Sequence, residues 1–182
     1  VTLAITAGRR GSPVVAGIAV TGATLAWTAG AWVQARLSDT WEGRRLVRAG
    51  LVTVLIGIAG MIWVLQPGVP LAVGLAAWTV AGLGMGLAYA PISLMMLRQA
   101  PPGREGWASA SLNLADVLGS AIGIGIGGAA AAGSNLPLGI TAAFALPAAV
   151  AVAALALTHR LPPGASSAPA DLAERLPERM PE

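Results

Sequence analysis

Five apolar stretches, each long enough to cross a bilayer, constrain this chain more than any motif in it. They fall at about 13–35, 49–66, 69–97, 107–132 and 136–158. A hydrocarbon core about 30 Å thick asks for about 20 apolar residues in a helix. Inside lipid the backbone must satisfy its own hydrogen bonds, and continuous apolar runs of this length do so as helices. The composition agrees: 55% of residues are hydrophobic and 10% charged, against about 25% charged in an ordinary soluble domain. The expected fold is an all-α integral membrane bundle of five transmembrane helices. Residues 1–7, VTLAITA, are too short to span and read as the end of a truncated sixth helix, so the chain reads as entered midway.

The linkers set the orientation. RLSDTWEGRRLVR, after the first span, carries Arg36, Arg44, Arg45 and Arg48, and RQAPPGREG, after the third, carries Arg98 and Arg104. The alternate linkers, QPGVP and GSNLP, hold no charge. Positive-inside bias makes the arginine linkers cytoplasmic and, with Arg160 after the last span, the C-terminus cytoplasmic too. Arg9 and Arg10 are the dissenting pair on the outer side. Residues 161–182, rich in Pro, Ser, Ala and alternating charge, read as a disordered cytoplasmic tail.

Several functions are disfavoured. The formal charge of +3 is small, and the arginines fall between apolar runs instead of along one face, so nucleic acid is not the expected partner. Zero cysteine excludes thiolate catalysis and Cys-ligated metal. His159, the one histidine, makes neither a metal site nor a triad by itself. Neither an enzyme nor a cofactor or metal is expected.

The residues with chemical interest lie inside the spans. At about 100° per residue, Ser109, Asn113, Gly119, Ser120, Gly123 and Gly127 all fall within about 60° of Asp116. Leu114, Val117, Leu118 and Ile122 take the other side. Counted from Trp107 at about 1.5 Å per residue, Asp116 lies about 14 Å deep, where a carboxylate costs roughly 2.5 to 3.5 kcal/mol. It must pair, protonate or serve transport, and desolvation favours its neutral form, making it a candidate proton carrier; a hydrogen-bonded structural aspartate is the alternative. Gly119, Gly123 and Gly127, and separately Gly82 and Gly86, have the four-residue spacing that lets helix backbones approach. Pro91 should bend the third span beside Tyr89. Trp41, Trp63 and Trp107 suit an interfacial belt, whereas Trp27 lies deeper and could stack on a substrate. From the residues alone, a transporter and a non-transporting, truncated or accessory membrane protein that packs against another helix bundle both stay open.

The order of these features resembles the C-terminal half of a major facilitator superfamily transporter, of the drug:proton antiporter type. The resemblance covers about residues 1–160 and aligns the five spans with helices eight to twelve of a twelve-helix member. ARLSDTWEGRR resembles the superfamily's G-x-L-A-D-R-x-G-R-R loop: Ala35 replaces the Gly, Leu37 and Asp39 match, and Gly43, Arg44 and Arg45 match after one inserted residue. The resemblance implies a gate loop in which Asp39 and the pair Arg44 and Arg45 form a charge relay. It also implies proton-coupled export of a small amphipathic or cationic molecule across the inner (plasma) membrane. The substrate would bind between this bundle and a missing N-terminal six-helix half. The cavity candidates are then Asp116, Asn113, Tyr89 and Trp27.

Overall fold

The computed structural model describes residues 5, 12–133 and 136–160. The expected helix end at 1–7, apart from Ile5, and the tail 161–182 lie outside the described residues. Five helices form, α1 Pro13–Leu37, α2 Gly43–Trp63, α3 Leu71–Arg98, α4 Glu105–Ala131 and α5 Leu136–Leu157, and a single 3₁₀ turn follows at Thr158–Arg160. All five are long and apolar enough to cross a membrane. Among the described residues there is no strand.

Local chemistry explains the ends. Ser12 caps α1 by accepting a hydrogen bond from the Val15 amide at 3.4 Å, and Pro13 supplies a preset first turn. At the other end Arg36 complements the helix dipole and lies 4.2 Å over the Trp32 ring. Gly68 and Gly103 take positive φ, +85° and +81°, in the turns before α3 and α4. One boundary differs clearly from the sequence expectation: α2 begins at Gly43, well before the apolar run at 49. Hydropathy reads Arg44, Arg45 and Arg48 as linker, but arginine is a good helix former, so the helix continues into the polar layer. α3 runs unbroken through Pro91, and α5 runs through Pro147.

α3 is the centre of the bundle, and small residues line both its flanks. Toward α1, a Cβ on Gly82 would strike the Ala23 carbonyl oxygen, one on Gly86 that of Trp27, and one on Gly30 that of Leu83. Toward α2, a Cβ on Gly50 would lie 2.6 Å from the Gly84 carbonyl oxygen, and one on Gly57 2.7 Å from that of Ala77. Glycine at these positions lets three backbones pack almost directly on each other, which is how helices associate where lipid is as apolar as leucine.

α5 joins this block through α2 at both ends. Ile58, Met61 and Val64 pack with Ile140 and Phe144 at one end. At the other, Arg48 Nε donates to Thr158 Oγ1 at 2.8 Å, and the threonine hydroxyl donates to the Leu155 carbonyl at 2.6 Å. Thr158 is the one buried polar residue among those described. α4 is different: Ala108 alone is buried on it, and no residue of its apolar window is buried.

Candidate functional site

The mid-membrane candidates divide between two places. Trp27 of α1 and Tyr89 of α3 form one: their ring centroids are 5.8 Å apart and tilted by 58°. The glycine contacts bring them together, because Gly86 seated on the Trp27 carbonyl places Tyr89 about one turn further along α3. Both rings are exposed, and at about 1.5 Å per residue each lies about 14–15 Å from the arginine-bearing end of its helix. Beside Trp27 run Thr24 and Thr28, which sequence reasoning missed. Their hydroxyls donate to the Val20 and Thr24 carbonyls at 3.0 and 3.2 Å, leaving oxygen lone pairs outward on an exposed face. The available signal was a threonine pair at i, i+4 inside an apolar span.

Asp116 and Asn113 form the other place, on α4. Both are exposed, as are Gly119 and Ser120. The expected segregation of α4 into a polar side facing protein or a water-filled cavity and an aliphatic side facing lipid or apolar neighbours is not made within this chain. Leu114, Val117, Leu118 and Ile122 are more than half exposed as well. A Cβ on Gly119 or Gly123 would meet nothing within 4 Å, and one on Gly127 would only touch the Ala143 methyl at 3.6 Å. The physical reason is that α4 is held at its ends: Ala108 packs near the end of α3, and Gly139 of α5 is seated on the Ala130 carbonyl. Among the described residues no hydrogen bond or ring contact joins Asp116 to Trp27 or Tyr89.

The gate-loop candidates also rearrange. Asp39 lies in the linker, while Gly43, Arg44 and Arg45 are the first residues of α2. The ion pair found among the described residues is Arg44 Nη2 to Glu42 Oε2 at 3.8 Å, so Arg44 pairs with Glu42 and not with Asp39. The insertion that separates Asp39 from the arginine pair supplies the physical reason, since it puts a closer carboxylate beside Arg44. Arg44 Nε is buried without a hydrogen-bond partner. Asp39 and Arg45 instead line a shared cavity of about 470 Å³ with Arg98, Leu94 and Met95 of α3. His159, in the 3₁₀ turn, sets its Nδ1 against the Ala156 carbonyl of α5. No group of His, Asp and Glu suited to a metal ion occurs among the described residues.

A family model for the Major Facilitator Superfamily matches residues 1–179. The chain belongs to the Major Facilitator Superfamily. The family brings with it membrane transport in general and a multi-pass position in the lipid bilayer, and its members are transporters, not enzymes. No curated protein and no solved structure matches the chain. All five membrane-length helices fall within the matched residues.

Proposed function

We propose that this superfamily chain is the C-terminal part of a secondary active transporter that exports a small amphipathic or cationic molecule in exchange for protons. The observation that carries the reading is the exposure, near mid-membrane, of polar and aromatic side chains on a bundle otherwise built for lipid. Trp27 and Tyr89 present π faces, Thr24 and Thr28 present oxygen lone pairs, and Asp116 carries a carboxyl group about three turns into α4. Uncovered polar groups at that depth are expensive in hydrocarbon and inexpensive along a wet cavity. Aromatic faces with oxygen acceptors suit a cation or an amphipathic donor. A second six-helix half would close the cavity, and the glycine-lined side of α4 offers it a place to pack.

In this reading Asp116 is the protonatable coupling group and Asn113, one turn away, shares its side of the helix. The segment 36–48 and the chain after His159 are cytoplasmic, and the membrane is the inner (plasma) membrane. Transport into proteoliposomes under an imposed pH gradient is the deciding experiment: uptake that follows the gradient supports coupling. Absence of transport from the complete gene product, with stable association to another helix bundle, would favour an accessory membrane protein instead. Orientation has its own test in this cysteine-free chain. Cysteines placed singly at Ser38 and Pro67 should label from opposite sides with an impermeant thiol reagent, and labelling of position 38 from outside intact cells would reverse the topology.

A further inference from the structure

The arginine-bearing end of the bundle is unevenly charged. Every arginine between residues 36 and 160 lies there, seven in all, against the three carboxylates of Asp39, Glu42 and Glu105. Two cavities open at this end and meet at Met95. One, of about 470 Å³, is lined by Arg45 and Arg98 together with apolar Leu94; the other, of about 360 Å³, is apolar and bounded by Met96 and Trp107. Among the described residues neither Arg45 nor Arg98 has an ion-pair partner.

The chain itself contains a segment of matching chemistry. Asp171, Glu174, Glu178 and Glu182 are half of its eight carboxylates, set against Arg175 and Arg179, and Leu172 and Leu176 recur four residues apart among them. The described residues that lead toward it, up to Arg160, lie at the same end of the bundle as the cavities. Thr158 is hydrogen-bonded to Arg48, and Arg45 is about one turn, roughly 5 Å, from Arg48 along α2. From Arg160, the chain reaches Leu172 with up to about 40 Å of extended backbone.

We propose that the acidic segment 171–178 docks on the arginine-rich end of its own bundle, with Glu174 and Glu178 on Arg45 and Arg98 and the leucines against Leu94 and Met95 in the same cavity. Docked there, the segment ties the first turn of α2 to the last turn of α3 and restrains that end of the bundle. The tether makes the contact intramolecular, so individually weak charge pairs act at a high effective concentration. This contact is independent of what the protein carries and of which side of the membrane the end faces.

The complete gene product, with a protease site inserted after Ser167 and reconstituted in phosphatidylcholine vesicles, provides the test. Leu176→Cys is combined with Leu94→Cys in the cavity, or with Pro102→Cys in the exposed turn at the same end, and disulfide formation is read as retention of the cleaved fragment. The expected result is cross-linking about tenfold faster at 94 than at 102. Glu174→Arg with Glu178→Arg, which leaves the bundle untouched, should abolish the difference, and adding Arg45→Glu with Arg98→Glu should restore it. Equal rates at 94 and 102, or a preference for 94 indifferent to the tail charges, would overturn the proposal. So would an anionic lipid in the cavity, seen as phosphatidylglycerol retained by the purified protein and lost with Arg98→Glu while cross-linking at 94 stays at the level of 102.

Discussion

α3 and α4 are both glycine-rich membrane-length helices, yet the same residue does opposite things in them. On α3, Gly82, Gly84 and Gly86 are buried, and each faces the backbone of a neighbour so closely that a methyl group would not fit. On α4, Gly119, Gly123 and Gly125 face open space. A helical glycine costs roughly 0.5–1 kcal/mol relative to alanine unless close packing offsets it. α3 recovers that cost inside this chain, and α4 does not. Glycine spacing therefore identifies a helix built for backbone contact, while the location of the partner has to come from the rest of the structure.

The sharpest way to break this contrast is to fill one glycine from each helix. Gly86→Leu must push α1 and α3 apart at the Trp27 carbonyl and should cost about 3 kcal/mol, with most of the monodisperse protein lost on size exclusion. Gly123→Leu in this chain should change thermal stability in detergent by about 0.5 kcal/mol or less. If a second bundle packs on α4 as proposed, Gly123→Leu should impair that assembly more than Ile122→Leu, because the partner would meet the filled face. Equal losses for Gly86→Leu and Gly123→Leu in this chain would erase the distinction between the two helices.

A smaller effect is expected where α5 is fastened to the block. Thr158→Val removes the acceptor of Arg48 Nε and should lower stability by about 1–3 kcal/mol, as for a hydrogen bond to a charged donor. Thr158→Ser keeps the hydroxyl and should stay near wild type. Matching melting curves for the Val and Ser variants would show that the end cluster around Met61 and Phe144 suffices to hold α5.

Smaller still is the aromatic contact at the edge of the α1–α3 interface. A double-mutant cycle of Trp27→Leu and Tyr89→Leu should give a coupling of about 0.5–1.5 kcal/mol. Zero coupling would mean that the two rings stand near each other without contributing to the packing that the glycines impose.

The sequence made the helices legible because hydropathy and length report directly on what lipid demands of a backbone. It misplaced the start of α2 because hydropathy measures solvation, and Arg44, Arg45 and Arg48 can be helical while remaining wet. Gly50 and Gly57, seven residues and so about two turns apart, were readable as one face, though nothing local said that α3 would cover it. The clasp between Arg48 and Thr158 and the ring contact between Trp27 and Tyr89 join residues far apart in the chain. Each is a consequence of helix arrangement, so no local pattern announces it. The exposure of Asp116 was invisible for the same reason: its depth follows from counting, its neighbours from the fold.

The least change in stability, and the largest in function, is expected at Asp116. Among the described residues Asp116 has no hydrogen-bond or ion-pair partner, so Asp116→Asn removes a charge from an exposed position on a nearly isosteric side chain and should leave the fold as it is. An aspartate held there only as a hydrogen-bond acceptor should tolerate the amide, and Asp116→Leu should then lower folded yield once a second bundle covers α4. A proton carrier behaves otherwise, because the amide cannot take up and release a proton. Export driven by a pH gradient should then fall in the Asn variant, while downhill exchange of substrate, which moves no net proton, survives. The two are separated by measuring both modes in the same proteoliposomes. An Asn variant whose gradient-driven rate and pH dependence equal those of the wild type would remove Asp116 from the mechanism and leave α4, glycines included, as a packing surface alone.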